Sequence, residues 1–257
     1  MNILILMAGR GQRFVNKGYT DPKPLIPVNG KTILEWTTES CPYIRHGGKG
    51  QDKNIYLHFA VLQEQLDAGL DKFLYSIYGR NIEIISFKEI TRGSLDTALI
   101  AASRMLRKDE HLLVLDADNK YEVNDMETFI NHLPKKENTM AVFCFDNQDT
   151  SLPNKWSNVM VTDGKAVDIR EKDDSWVTQP TMIGIFYFHN TNFFIQYAKF
   201  IIFVTAQPVQ FNGTAEYYMS MVPSYQVSIH APVYVHSVTN VIPLGTPDDV
   251  KNFEKSV

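Results

Sequence analysis

An uninterrupted apolar run near the N-terminus stops at two closely spaced glycines. Residues 2–7 read Asn-Ile-Leu-Ile-Leu-Met, and Gly9-Arg10-Gly11 follows directly after Ala8. A run of this length is too short to span a membrane and is typical of a strand buried on both faces of a sheet. Glycines let a backbone turn sharply and approach a ligand, and the N–H groups of such a turn suit a phosphate. The start of the chain therefore predicts a buried strand followed by a phosphate-binding loop.

Cationic residues lie in the glycine loop and shortly after it. Arg10 and Arg13 carry fork-shaped guanidinium groups that bind phosphate well, and Lys23 stands between two prolines that restrict its backbone. Two other phosphate-binding motifs fit poorly. A dinucleotide fingerprint needs a small residue where Phe14 stands, and a P-loop needs Lys followed by Ser or Thr after its last glycine.

The length, net charge and cysteine content of the chain favour one α/β domain and exclude several classes of protein. The chain has 257 residues and a net charge of −4, with no basic stripe of the kind that binds nucleic acid. Cys41 and Cys144 lie far apart, which fits reduced thiols in a cytoplasmic protein better than a disulfide. The N-terminus lacks the basic residues that begin a signal peptide, and we expect no membrane-spanning segment.

Strand and helix patterns alternate through the first half of the chain. Apolar runs predict strands at 55–62, 82–87 and 111–115, and helical spacing predicts helices at 63–78 and 94–106 and after Thr32. This alternation indicates a parallel, helix-covered sheet that binds ligands at the carboxyl ends of its strands. The second half is mixed: it predicts a hairpin at Asp163-Gly164, helices at 192–204 and 215–221, and strands at 139–145, 159–162, 166–170, 182–188 and 233–236. The segment 193–204 is apolar on most sides, so we expect it to be deeply buried or to contribute to a homo-oligomer contact.

Two carboxylates stand just past a predicted strand. Asp116 and Asp118 end the segment Leu-Val-Leu-Asp-Ala-Asp and are separated by one residue. Such an aspartate can simply cap the following turn, but Mg²⁺ prefers oxygen ligands and usually takes one or two carboxylates plus substrate phosphates. The pair therefore predicts a Mg²⁺ site.

The string Gly-Arg-Gly-x-Arg-Phe followed by Pro-Lys-Pro-Leu-Ile-Pro-Val closely resembles the sugar-phosphate nucleotidyltransferases, which make nucleoside-diphosphate sugars. The resemblance implies a glycosyltransferase-A-like Rossmann fold, α/β, with a mostly parallel central sheet flanked by helices and a small sugar-side subdomain. It also implies that Arg13, Lys23 and Asp118 are catalytic, and that Asp118 is the main Mg²⁺ ligand, with Asp116 as a second or supporting one. The implied nucleotide-binding residues are Met7, Ala8, Gly9, Arg10, Gly11, Gln12 and Arg13.

Further segments extend the resemblance through most of the chain. Arg92, Gly93 and Ser94 resemble the loop that packs against base and ribose, and all three are expected to bind the nucleotide. Glu171-Lys172 resembles the family's Glu-Lys-Pro motif, with Asp173 in place of proline. The implied acceptor-binding residues are Glu171, Lys172, Gly184, which would leave space beside the sugar, and Glu216, in the first turn of a helix.

The segment Leu244-Gly245-Thr246-Pro247 resembles a family segment in which a glycine turn leads into a capped helix. Many relatives carry an aspartate just before that glycine as a second metal ligand, and residues 241–244 contain none. This departure leaves open whether Asp116 or water completes the metal site.

The resemblance implies a single nucleotidyltransferase domain over 1–257, with a nucleotide-binding half (1–135) and an acceptor-binding half (136–257). The implied reaction joins an NTP to a sugar 1-phosphate and releases pyrophosphate, with Mg²⁺ as cofactor. Capsule or surface polysaccharide biosynthesis in the cytoplasm would be a fitting pathway. Two alternatives stay open: a cytidylyltransferase-type enzyme with a non-sugar phosphorylated acceptor, and a non-catalytic sugar-nucleotide-binding protein.

Overall fold

The computed structural model describes residues 1–48, 51–147, 156–176, 179–205, 207–211 and 213–256. Its strands are β1 (Asn2–Leu6), β2 (Pro27–Val28), β3 (Lys31–Thr32), β4 (Tyr56–Leu62), β5 (Ile82–Phe87), β6 (Leu112–Asp116), β7 (Asn119–Glu122), β8 (Met140–Phe145), β9 (Ser157–Thr162), β10 (Lys165–Glu171), β11 (Thr181–Phe188), β12 (Val209–Phe211), β13 (Thr214–Glu216), β14 (Val233–Ser237) and β15 (Thr239–Pro243). Its α-helices are α1 (Gln12–Val15), α2 (Ile33–Glu39), α3 (Gln63–Asp67), α4 (Leu70–Tyr78), α5 (Ser94–Arg104), α6 (Met126–His132), α7 (Thr191–Phe200), α8 (Met221–Ser228) and α9 (Pro247–Lys255).

One large sheet runs through the molecule in the order β5-β4-β1-β6-β11-β8-β14-β10-β9. Its first four strands are parallel, as the alternating pattern predicts. From β11 onward the sheet is mixed, because β11 runs antiparallel to both β6 and β8, whereas β14 is parallel to β8. The parallel half places the ends of β1 and β6 side by side, since Leu6 pairs with Asp116.

Apolar side chains cover both faces of the sheet, which explains the uninterrupted run in β1. Leu4 packs with α5 and α7 on one face, whereas Ile3 and Ile5 pack with α4 and α6 on the other. All three side chains are fully buried. Burial on both faces requires apolar residues at every position instead of at alternate positions.

A third, smaller core joins the two ends of the chain. Phe14 and Ile26 pack against Leu244, Val250 and Phe253, so α9 lies against the loop that follows β1. Thr246 caps α9 through its side chain, with Pro247 at the first turn, as the sequence predicts. This core brings Gly245 beside Asp118, whose Oδ2 would lie 3.2 Å from a β-carbon built on that glycine.

Two predicted helices differ from the structure. The segment 63–78 forms two helices, because Gly69 adopts a left-handed conformation (φ 92°) between α3 and α4. The predicted helix 215–221 is wrong: residues 214–216 pair with β12 as strand β13. The backbone of Tyr217 donates to the carbonyl of Arg92 and accepts from the N–H of Leu95, and these bonds to another loop keep the segment extended.

The other predicted elements are present with small shifts of their ends. The hairpin at Asp163-Gly164 joins β9 to β10. The α-helix predicted at 192–204 ends at Phe200, and the chain continues as a short π-helix to Thr205. This segment is buried through residues such as Phe194 and exposes Phe203 and Val204, and a contact between subunits stays a prediction. Within the described ranges, no helix is both long and apolar enough to cross a bilayer.

Candidate active site

Three adjoining clefts meet where β1 and β6 end, beside the first half of the antiparallel strand β11, and all three are lined by Asp116. We name them by their walls. The loop cleft (about 550 Å³) lies between residues 8–12, 90–94 and 214–216. The acidic cleft (about 330 Å³) is lined by residues including Glu171, Lys172, Gly184 and Glu216. The central cleft (about 160 Å³) is lined by Lys23, Asp118 and residues of the glycine loop.

These clefts bring together the residues that the sequence singles out. The loop and central clefts contain the predicted nucleotide-binding residues Met7, Ala8, Gly9, Arg10, Gly11, Gln12, Arg92, Gly93 and Ser94. All four predicted acceptor residues line the acidic cleft. Arg13 is exposed and lines the acidic cleft, not the loop cleft. The roles of these residues stay predictions, although they do lie together in the fold.

The glycine loop lets Lys23 come close. Gly11 has a left-handed backbone (φ 62°) just before α1. A β-carbon on Gly11 would lie 2.9 Å from the β-carbon of Lys23, closer than such atoms pack. The absence of a side chain at Gly11 therefore gives the lysine its path into the central cleft.

A lysine–aspartate pair lies in the central cleft. Lys23 Nζ is 2.5 Å from Asp118 Oδ2, and both side chains are partly exposed to the cleft. Asp118 is also held by protein groups: Asn119 Nδ2 donates to its Oδ1 at 3.1 Å, and the N–H of Leu244 donates to its backbone carbonyl at 2.8 Å. One carboxylate oxygen thus faces the lysine while the other is fixed by the neighbouring amide.

The Asp116 carboxylate faces the clefts without a hydrogen-bond partner among the described residues. Burial, together with the negative charges of Asp118 and Glu171, raises the pKa of Asp116 to about 8, against an opposing effect of Lys23. Because burial and the neighbouring carboxylates disfavour the negative charge of Asp116, a cation bound beside it would stabilise the ionised carboxylate. The described residues contain no group of three or more His, Cys, Asp or Glu side chains that could hold a metal ion. The two aspartates fit Mg²⁺ only if substrate oxygens or water supply its other ligands.

Gly184 makes room for Asp116. Its φ is +77°, and a β-carbon there would lie 2.2 Å from Asp116 Oδ2. The resemblance implies that Gly184 leaves space beside a sugar, but the Asp116 carboxylate takes that space. Since Gly184 also lines the acidic cleft, contact with an acceptor stays a prediction.

Residues 92–94 form one wall of the loop cleft, and Ser94 also lines the acidic cleft. The Arg92 guanidinium is held by both oxygens of Asp96, at 3.0 and 3.1 Å, and lies over the ring of Tyr217. A β-carbon on Gly93 would lie 2.4 Å from the carbonyl oxygen of Tyr217. Ser94 Oγ accepts from the N–H of Met219 at 3.1 Å. These contacts with other parts of the protein fix the positions of residues 92–94 in the cleft wall. Their contact with a nucleotide stays a prediction.

Glu171 and Lys172 are constrained at the end of β10. Glu171 Oε2 accepts from the hydroxyls of Ser157 and Ser220, the latter at 2.5 Å. The Lys172 ammonium lies 4.7 Å from the centre of the Phe211 ring. Burial lowers the pKa of Lys172, and the Glu171 carboxylate partly opposes that effect. The pair presents a fixed carboxylate and a desolvated cation to the acidic cleft.

Glu216 lies at the boundary of two clefts. It lines both the loop cleft and the acidic cleft, and it reaches them from the end of strand β13. The expected position in the first turn of a helix is therefore wrong. A carboxylate there can accept hydrogen bonds from hydroxyl groups in either cleft.

Supporting residues at two places are missed by sequence reasoning. Gln65, in the first turn of α3, donates from Nε2 to the carbonyls of Met7 and Gly9. Ser157 and Ser220 fix Glu171 from separate elements. No local pattern marks these residues, because Gln65 and Ser220 contact segments that are distant along the chain and Ser157 meets Glu171 only through the register of β9 and β10.

Two comparisons with known sequences match most of the chain. A sequence model of the family described as Nucleotidyl transferase matches residues 2–219. The bifunctional protein GlmU of Methanocaldococcus jannaschii is 27% identical over 192 residues, which cover 73% of this chain and 40% of that protein. The chain thus spans about two fifths of the length of this curated relative.

Solved structures show the same fold. The nucleoside-diphosphate-sugar pyrophosphorylase from Vibrio cholerae RC9 superposes with a TM-score of 0.75 at 16% identity, covering 99% of this chain and 100% of that one. The inositol-1-phosphate CTP transferase from T. maritima gives 0.70 at 16% identity, covering 98% and 93%. At this identity they establish the fold alone, and the expected glycosyltransferase-A-like α/β fold is confirmed. The match over residues 2–219 shows that the chain belongs to the nucleotidyl transferase family.

Proposed function

We propose that the protein transfers a nucleotidyl group from an NTP to a sugar 1-phosphate and releases pyrophosphate. The observation that carries this proposal is the Lys23–Asp118 pair beside Asp116, at the junction of the loop cleft and the acidic cleft. A nucleotide in the loop cleft and a phosphorylated acceptor in the acidic cleft would meet at these three residues.

The chemistry needs positioning and charge neutralisation more than acid–base catalysis. An oxygen of the acceptor phosphate attacks the α-phosphorus, a new P–O bond forms, and the bond to pyrophosphate breaks in line with the attack. Because a phosphate monoester is already anionic, no general base is required. Lys23 would neutralise charge at the reacting phosphates and Arg13 on the departing pyrophosphate.

We assign a Mg²⁺ ion to Asp118 and Asp116. Their oxygens are the ligands that Mg²⁺ prefers, and the raised pKa of Asp116 fits a site built to share a cation. When bound, the ion would neutralise phosphate charge. The chain's own contribution is to hold both carboxylates, Asp118 through Asn119 and Asp116 in the space left by Gly184.

The acceptor would occupy the acidic cleft. Glu171 and Glu216 can accept hydrogen bonds from hydroxyl groups, and Lys172 can pair with the acceptor phosphate. A nucleoside-diphosphate-sugar pyrophosphorylase among the structural neighbours supports a sugar 1-phosphate.

A second candidate is a cytidylyltransferase that acts on a non-sugar phosphate. Asp173 replaces the motif's proline, accepting from the N–H of Ser175 at 2.9 Å, and residues 241–244 lack a metal-binding aspartate. A structural neighbour named inositol-1-phosphate CTP transferase supports this option.

The test is pyrophosphate release with Mg²⁺, each of the four NTPs and dTTP, and a panel of acceptors. Sugar 1-phosphates, inositol 1-phosphate, phosphocholine and phosphorylated amino acids make up the panel. We expect release with a sugar 1-phosphate, abolished in Lys23→Ala and Asp118→Ala. Release only with another acceptor would support the second candidate. Nucleotide binding without release from any pair would contradict both and favour a sugar-nucleotide-binding protein.

A further inference from the structure

Gln65 connects the first turn of α3 to the glycine loop from inside the protein. Its side chain is 4% exposed. Its Oε1 accepts from the N–H of Leu62 at 2.8 Å, and its Nε2 donates to the carbonyls of Met7 at 3.0 Å and Gly9 at 3.3 Å. Both N–H groups of the amide are therefore used on the loop.

These bonds set the direction of two backbone donors. In a trans peptide unit the C=O and the next residue's N–H point in opposite directions, and the described backbone has no cis peptide. Since the carbonyls of Met7 and Gly9 point toward Gln65, the N–H groups of Ala8 and Arg10 point away from it. Neither of these N–H groups has a hydrogen-bond partner among the described residues, and both residues line the loop cleft.

The exposed contact on the same turn is too weak to set this geometry. Glu64 pairs with Arg10 at 3.3 Å, but both side chains are more than half exposed. An exposed pair contributes little to stability. A buried amide that would leave two carbonyls unpaired on removal constrains the loop far more strongly.

We propose that Gln65 is a positioning residue for the nucleotide: it aims the N–H groups of Ala8 and Arg10 at the phosphates. This inference rests on the proposed function, because it requires an NTP in the loop cleft. The side chain itself touches no substrate. Its effect is to form the anion-binding loop before the nucleotide arrives, which lowers the cost of binding.

The test compares Gln65→Met with Gln226→Met. Methionine keeps the length of the side chain and removes its donors. Gln226 is a matched control, since it is also fully buried and donates to two backbone carbonyls, those of Asn138 at 2.9 Å and Pro232 at 2.7 Å, and it lines none of the three clefts. Each protein is titrated with the four NTPs and dTTP by calorimetry, and its thermal unfolding is recorded.

We expect Gln65→Met to weaken binding of the preferred NTP about tenfold, which corresponds to about 1.4 kcal/mol, with the KM of the acceptor unchanged. Gln226→Met should lose comparable thermal stability and keep its NTP affinity. If Gln65→Met does not fold, Gln65→Asn replaces it, because its amide is one methylene too short to reach both carbonyls.

Three other outcomes would overturn the inference. Equal NTP affinity in the wild type and Gln65→Met would overturn the inference and leave the proposed function standing. An equal loss in both methionine variants would also overturn it, because general loosening would then explain the effect. A wild-type protein that binds none of the nucleotides would overturn the proposed function and the inference together.

Discussion

A β-carbon on Gly184 would lie 2.2 Å from Asp116 Oδ2, so the carboxylate occupies the space that any other residue's side chain would need. Gly184 is in β11 and Asp116 ends β6, its antiparallel neighbour in the sheet. The backbone at Gly184 also has a positive φ (+77°), which side chains rarely tolerate. The position of the unpaired aspartate thus depends on a glycine that lies much later in the sequence.

We predict that Gly184→Ala destabilises the protein by about 3 kcal/mol or more, because backbone strain and crowding against Asp116 add together. The measurement is urea unfolding. Gly164→Ala is the matched control, since its φ is +70° and no atom lies within 4 Å of a β-carbon built on it. That variant should lose only about 1 kcal/mol from backbone strain. Equal losses in the two variants would show that Asp116 does not crowd Gly184.

Replacing Lys23 should remove charge neutralisation at the reacting phosphates. We expect Lys23→Met to lower kcat/KM for pyrophosphate release by about 10²-fold or more, the usual effect of deleting a group that stabilises transition-state charge. Lys31→Met is the control. Lys31 is on β3, lies outside the three clefts, and forms an ion pair with Glu39. A Lys23→Met enzyme with normal kcat/KM would contradict the assigned role.

The raised pKa of Asp116 predicts that stability depends on pH. The carboxyl titrates near 3.8 in the unfolded chain and at about 8 in the fold, so between these values the folded state holds more protons. The free energy of unfolding should therefore fall as pH rises from about 4 to about 8, most clearly without Mg²⁺. Asp116→Asn should flatten this dependence.

Urea unfolding at several pH values checks this prediction. Asp163→Asn serves as the control, because it removes an exposed carboxylate at the β9–β10 turn and asparagine tolerates the positive φ found there. An unchanged slope in Asp116→Asn would show that another group titrates.

Removing the Ser220 hydroxyl should loosen Glu171. Ser220 donates to Glu171 Oε2 at 2.5 Å, and Ser157 donates to the same oxygen. We expect Ser220→Ala to raise the KM of the acceptor about tenfold, as loss of one hydrogen bond to a charged group would, and to leave the KM of the NTP unchanged. Ser228→Ala, on the exposed end of helix α8, should change neither value. A rise in the KM of the NTP alone would place Glu171 on the nucleotide.

Local sequence patterns predicted the structure correctly at β1 and at the start of α2. The apolar run in β1 predicts burial on both faces, and Leu4 and Ile5 indeed face opposite cores. Thr32 caps α2 with Glu35 through a box that spans four consecutive residues. At Gly69 the same reasoning failed, because the apolar spacing continues through a glycine whose left-handed conformation breaks the helix.

Long-range contacts explain the failures at the site. Residues 214–216 lie in a strand because they pair with β12, and the next residue, Tyr217, bonds to the backbone of residues 92 and 95. Glu216 consequently reaches both clefts from a strand end. The sequence around it has no sign of this, since its partner loop lies in the other half of the chain.

The sequence by itself determined the alternating α/β order and the glycine loop, because strand burial and turn chemistry are local properties. It also singled out Lys23, Asp116 and Asp118 as candidate site residues. Only the tertiary structure decided that Asp116 is unpaired among the described residues, that Gly184 accommodates it, and that Gln65 holds the loop. Those relationships arise where strand order brings distant segments together. A carboxylate's pKa and a loop's direction depend on such neighbours, which no stretch of sequence contains.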